Sequence, residues 1–188
     1  MIERQGVVLY GPPAAGKDTV TAALGELGCS YVPFARLKAG PGRTAGYRMS
    51  SAERLAALEA AGDVIYANRR YNAVYVIDRP GLDEACAAGV PVVHLGQVAG
   101  VRALVAGYPA AWLSVLLWCP REVTAARSTA RGDVDTDARL AAWDATEQDL
   151  ERDPFAWDLR VETTVTEPAD AARRIDQLLK ERAGAASA

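Results

Sequence analysis

Gly11 and Gly16 bracket four residues and Lys17 follows, so the run GPPAAGK has the spacing of a phosphate-binding loop, the Walker A pattern. That spacing serves one kind of chemistry. Glycines let the backbone curl until its N–H groups face phosphate oxygens, a helix N-terminus adds partial positive charge, and the lysine reaches the terminal phosphates. The candidate nucleotide-binding residues are Gly11, Ala14, Ala15, Gly16, Lys17, Asp18 and Thr19. Taken as a Gly-Pro turn that merely opens a helix, the same run leaves Lys17 without a purpose.

Asp18 stands where a serine or threonine usually supplies a magnesium ligand. Two readings stay open. Its carboxylate approaches Mg2+ through water while Thr19 supplies the hydroxyl, or it simply favours the N-terminal turn of a helix. A carboxylate against a triphosphate is repulsive unless a cation lies between them. Asp18 and Thr19 are the candidate metal residues on the first reading.

His94 is the only histidine in the sequence, which removes multi-histidine metal centres. Cys29, Cys86 and Cys119 have no paired spacing and fit neither a disulfide framework nor a zinc site. Chemistry here rests on carboxylates, lysine, arginine and a bound ion.

The elements needed to position the loop follow from the pattern around it. Val7 to Tyr10 is a short apolar run, and Lys17 to Leu27 carries helix formers up to Gly28, giving strand, loop and helix in that order. RLKAGPGRTAG, residues 36–46, reads as an irregular or mobile loop, and AERLAALEAAG as a helix that starts after Ser50 and Ser51. DVIYANRRYNAVYVI reads as a hairpin broken at NRRYN, followed by a short helix LDEACAAG. VPVVHL and WLSVLLW are buried strands, REVTAARSTARG and DARLAAWDATEQDLERD helices, AWDLRVET a late strand, and EPADAARRIDQLLKERA a closing helix. Only the AGAASA tail reads as disordered.

Alternating strands and helices predict an α/β fold, a parallel sheet flanked by helices, with a small β-containing insert. With 188 residues, half of them hydrophobic, the chain suits one domain spanning 1–188. A formal charge of -3 gives no basic field of the kind a nucleic acid polymer demands. The opening MIERQG lacks the apolar core of a signal peptide and no apolar run is long enough to span a membrane, so a soluble, cytoplasmic protein is expected.

The order of these elements resembles the guanylate kinase family of nucleoside monophosphate kinases over most of the chain. The features that carry the likeness are the loop GPPAAGK, the segment ARLKAGPGRTAGY, the hairpin with Tyr75, and ARSTARGDVDTDARLAAWDATEQDL. The resemblance implies a P-loop kinase using ATP and Mg2+, with an acceptor-binding insert at 35–80 and an α-helical lid at 124–145. Arg127, Arg131 and Arg139 would close from that lid over the phosphates, and each could also be a solvated arginine paired with Asp133, Asp135 or Asp137. On the acceptor side Arg36, with Lys38 or Arg43, would hold the acceptor phosphate beside Tyr47 and Tyr75. Arg48, Arg69 and Arg70 extend this cationic cluster. Glu162 and Thr163 are candidate adenine contacts.

Base-reading positions depart from the family. Tyr66 stands nine residues before Tyr75, where a glutamate reads guanine, and His94 and Gly96 occupy the acidic positions of VVHLGQVAG. A site that reads guanine through a carboxylate loses much of its discrimination without it. Tyr66 and His94 can stack on or hydrogen-bond to a ring without demanding guanine.

The expected acceptor is a nucleoside monophosphate not restricted to GMP, including one with a modified base. A ribose bisphosphate or other sugar phosphate is the alternative, since ribose bisphosphate kinases resemble the same family. A guanylate-kinase-like binding module without catalysis is the alternative of another class. A GTPase-type switch is disfavoured because no Asn-Lys-x-Asp stretch occurs. The expected partner is a small-molecule phosphate acceptor, and the chain is expected to be a monomer or homodimer.

Overall fold

The fold is seen in a computed structural model that describes residues 4–28, 31–42, 44–70, 72–133 and 135–186. Strand β1 (Gln5–Tyr10) has Val7, Val8, Leu9 and Tyr10 all fully buried, as a strand covered on both faces must be. Successive side chains point to opposite faces, so β1 feeds two cores. Val7 and Leu9 join Val20 and Leu24 of α1 (Lys17–Gly25) and Ile175 and Leu179 of a helix at the C-terminal end of the chain. Val8 and Tyr10 join Leu82, Val98, Val101 and Leu104 on the other face.

The remaining elements are β2 (Tyr31–Pro33), β3 (Leu37–Ala39), β4 (Arg48–Met49), α2 (Ala52–Ala60), β5 (Val64–Arg70), β6 (Ala73–Asp78) and α3 (Arg79–Ala88). After them come β7 (Val90–Leu95), α4 (Val98–Gly107), β8 (Ala111–Trp118), α5 (Arg121–Ala130), α6 (Thr136–Arg152), β9 (Leu159–Glu162) and α7 (Pro168–Ala186).

The central sheet runs β2-β7-β1-β8-β9 with every pairing parallel, and helices cover both its faces. Leu9 lies opposite His94, and Tyr10 opposite both Leu95 and Leu116. The C-terminal end of β1 therefore emerges between two strands, the place where open parallel sheets bind ligands.

The insert is a second sheet, β4-β3-β6-β5, with α2 packed on it through Leu37, Leu55, Leu58 and Val76. The β5/β6 hairpin is antiparallel, and β5 continues through Asn68, Arg69 and Arg70 before it turns. Ser51 caps α2 by accepting from the Arg54 amide at 3.2 Å.

Two sequence expectations change. Residues 37–39 form β3 where a loop was expected, because Leu37 and Lys38 are both buried against the insert's own sheet. The AGAASA tail, expected to be disordered, continues α7 as far as Ala186. Neither β2 nor α4 is legible in the sequence pattern. No helix among the described residues is long and apolar enough to cross a membrane.

Candidate functional site

The loop between β1 and α1 is held from outside by its carbonyls. Lys17 Nζ donates to the Gly11 and Pro12 carbonyls at 2.7 and 2.8 Å. The Thr124 hydroxyl donates to Pro13 at 3.0 Å, and Arg127 Nη1 to Ala14 at 2.9 Å. Pro12 and Pro13 carry no N–H and the Ala15 N–H turns back to the Pro12 carbonyl at 3.3 Å, so the N–H groups of Ala14, Gly16 and Lys17 are the candidates for holding an anion. Gly11 is required by close approach, since a Cβ there would fall 2.1 Å from the Leu117 carbonyl oxygen. Gly16 has φ +89°, a conformation that glycine adopts without strain, and Ala14 has φ +58° despite its Cβ.

Around this loop lies a cleft of about 950 Å³, lined by residues 13–20 together with Arg127, Arg131, Asp133, Arg139, Thr163 and Thr164. A smaller cavity of about 210 Å³ adjoins it, lined by Asn68, Arg70, Tyr75, Gly96, Gln97 and Thr146 among others. Pro13, Lys17, Arg36, Tyr47 and His94 line both, so the two spaces meet at the lysine. Burial in this desolvated position, outweighing the attraction of Asp18, pushes the Lys17 ammonium down to about 8.

His94, at the end of β7, has Nε2 2.7 Å from the Thr21 hydroxyl oxygen and Nδ1 3.5 Å from Asp18 Oδ1. Burial first, then the neighbouring Lys17 charge, holds its imidazole down at about 4, so the ring is neutral. Asp18 projects from the first turn of α1 with its side chain 92% exposed, and Thr19 beside it lines the cleft.

The donors fit the groups the motif implies. The glycine curl fits phosphates. Asp18, Thr19 and His94 offer oxygen and nitrogen to a divalent cation, and the described residues contain no group of three His, Cys, Asp or Glu that could hold a metal unaided. A cation here completes its shell from phosphates and water, as Mg2+ commonly does.

The three arginines of residues 124–145 do different things. Arg127 is anchored, with Nη1 on Ala14 and on the Thr163 hydroxyl at 3.1 Å and Nη2 on the Thr163 carbonyl at 2.7 Å. Arg131 and Arg139 line the cleft and share Asp133 at 3.3 and 3.2 Å, with Arg139 also on Asp135 at 2.8 Å. Glu162 is not among the residues lining the cleft, whereas Thr163 is.

On the acceptor side Arg36 lies 5.9 and 5.4 Å from the ring centres of Tyr47 and Tyr75, which pack against each other. Lys38 is only 1% exposed, 5.5 and 5.6 Å from the same rings, and lines neither cavity. Tyr66 also lies outside both linings. It packs where a Cβ at Gly100 would come within 2.7 Å of its ring, and burial raises its phenol pKa. Arg48 is committed to Asp78 and to the Ala35 carbonyl, and Asp78 caps α3 by accepting from the Gly81 amide. Arg43 lies outside the described residues.

Sequence reasoning did not single out Asn68, Gln97, Thr21 or Thr164. Period-two spacing along β5 puts Tyr66, Asn68 and Arg70 on one face, a signal that could have found Asn68.

Residues 50–180 match the model of a family described as chloramphenicol phosphotransferase-like protein. That match begins after the phosphate loop, so loop and family point the same way independently. No curated protein matches the chain. Among solved structures, guanylate kinase from Anaplasma phagocytophilum is similar at 17% identity and TM-score 0.65, over 97% of this chain and 87% of that one. The crystal structure of APE1195 is similar at 16% identity and TM-score 0.53, over 97% of this chain and 98% of that one. Both likenesses concern the fold, a P-loop α/β sheet with helices on both faces.

Proposed function

The chain belongs to the chloramphenicol phosphotransferase-like family and is a phosphotransferase on a guanylate kinase-like P-loop fold; we propose that it is an ATP- and Mg2+-dependent kinase and, from its own cavity, that its acceptor is a phosphomonoester. The observation that carries this reading is the make-up of the smaller cavity. Lys17, Arg36 and Arg70 supply cations, Tyr47, Tyr75 and Asn68 supply polar groups, no carboxylate is among its lining residues, and its imidazole, His94, is held down at about 4 and is a weak base. A neutral alcohol needs a general base to take its proton, whereas a phosphate oxygen is nucleophilic already and needs cations to position it.

The first acceptor is a nucleoside monophosphate not restricted to GMP, because a guanine edge meets no carboxylate here. The second is a sugar phosphate, favoured by a cavity of only about 210 Å³. In both cases residues 35–80 form the acceptor-binding insert and 124–145 the lid. The phosphate loop holds the β-phosphate of ATP, Lys17 turns from its carbonyls to the terminal phosphates, and Arg131 and Arg139 neutralise the transferring group. The lid excludes water and so prevents idle hydrolysis. A module without catalysis has no use for Lys17 at the junction of two cavities.

The test is ADP release with ATP and Mg2+ against nucleoside monophosphates, ribose phosphates and chloramphenicol as an alcohol, with Lys17→Ala as control. Turnover with a phosphomonoester, lost in the control, is expected. Turnover with the alcohol alone overturns the reading, and ATP binding without turnover on any acceptor favours the module.

A further inference from the structure

We propose that Asp18 Oδ1 and His94 Nδ1 are paired ligands of the divalent cation of the nucleotide complex, and that the nitrogen ligand makes the site favour Mn2+ and Co2+ over Mg2+. This rests on the cleft being the ATP site.

Hydrogen-bond counting leads to it. Thr21 Oγ1 lies 2.8 Å from the Lys17 carbonyl oxygen and 2.7 Å from His94 Nε2. A hydroxyl has one proton, and a carbonyl has none to offer. The Thr21 proton therefore goes to Lys17 O, and His94 Nε2–H donates to Thr21. Nδ1 faces the Asp18 carboxylate at 3.5 Å without a hydrogen bond between them, longer than an Nδ1–H donor would hold a carboxylate, and so stands there as a lone pair. Two acceptors aimed at each other repel, and a cation between them turns the repulsion into coordination.

The geometry and the place both suit this. Neighbouring ligands of an octahedral cation at about 2.1–2.2 Å lie about 3 Å apart. Asp18 is exposed and closes the difference by a side-chain rotation. Both residues line the cleft beside Gly16 and Lys17, where phosphate oxygens supply the remaining ligands. Thr21 acts as the positioning residue that fixes the tautomer, as second partners of metal-bound histidines do. Mg2+ prefers an all-oxygen shell, whereas imidazole suits transition cations in the order Mn2+ below Co2+.

His94 is the only histidine in the sequence, so its ring signals are unique in an NMR spectrum. The experiment records the imidazole 15N and 1H signals of the full chain alone, with the non-hydrolysable analogue AMPPNP, and after Mn2+ is added. Expected are the Nε2–H tautomer and broadening of the ring signals by one equivalent of Mn2+ only when AMPPNP is present. In parallel, calorimetry measures Mn2+, Co2+ and Mg2+ affinities of the AMPPNP complex, normalised to free AMPPNP. Asp18→Asn and His94→Gln are each expected to lower Co2+ affinity by about tenfold or more, and His94→Gln to erase the preference over Mg2+. Asp18→Asn serves where the buried ring makes His94→Gln unstable. If AMPPNP and cation bind but the ring signals stay sharp, or Nδ1 carries the proton throughout, the pairing is wrong while the ATP site stands. If AMPPNP does not bind, both fall.

Discussion

Arg48 reaches from the insert to Asp78, the residue that caps α3, and joins it through its two terminal guanidinium nitrogens, Nη1 and Nη2. Asp78 is buried, whereas the Arg48 side chain is 35% exposed, so solvent screens part of the pair. Breaking a fully buried pair costs about 3–5 kcal/mol, and screening lowers this to about 1–3 kcal/mol here. Asp78→Asn and Arg48→Met should each lose that much in urea unfolding, and the double variant clearly less than their sum. Additive losses would mean that the two residues act separately.

Lys17 sits near half-protonation at about pH 8 in the free protein, because burial disfavours its charge. Triphosphate oxygens favour the charged form and raise this pKa on binding. ATP binding above pH 8 should therefore take up a proton, and affinity should fall as pH rises through about 8. Calorimetry in buffers of different ionisation enthalpy reads the uptake directly. Lys17→Met should abolish it, and unchanged uptake in that variant would assign the proton elsewhere.

Ala14 holds a left-handed conformation, φ +58°, inside the phosphate loop. Such a conformation costs a residue with a Cβ about 1 kcal/mol that glycine does not spend. Ala14→Gly should raise the melting temperature or leave it level, while Gly11→Ala should lower it sharply through the contact with the Leu117 carbonyl. A drop for Ala14→Gly comparable with that for Gly11→Ala would show that the loop is not strained at 14.

Arg127 and its two neighbours should separate in kinetics. Arg127 ties Ala14 to Thr163, so Arg127→Ala should raise the KM for ATP and reduce stability by about 1–2 kcal/mol. Arg131 and Arg139 pair with the carboxylates of Asp133 and Asp135, and their alanine variants should lower kcat by about 10²-fold or more with little change in melting. The reverse pattern would make Arg127 the residue that reaches the transferring phosphate.

What the sequence made legible was local. The phosphate loop is a run of seven residues between a strand and a helix, and no distant partner is needed to recognise it. Lys38 reads as a phosphate-binding cation, yet strand alternation turns it inward beneath Tyr47 and Tyr75. Arg48 reads as part of the same cluster, but its partner lies thirty residues on, beyond any pattern in a short window. Tyr66 has the right spacing from Tyr75 for a base-reading residue, and packing against α4 decides its place instead. Helix α4 itself escaped notice because Gly100 and Gly107 dilute its helical propensity, and its apolar residues at 98, 101 and 104 show their purpose only against the sheet.

Those two glycines bear on the smaller cavity. They are seven residues apart, two helical turns, and so lie on one face of α4. Gly100 receives the Tyr66 ring, and a Cβ at Gly107 would meet Ile65 at 3.4 Å. Strand β5 thus rests almost directly on the helix backbone, and Asn68 and Arg70 farther along the same strand inherit that position. On the proposed kinase reading, the reach from Lys17 to those two residues is set in part by the methyl group that is missing at Gly100.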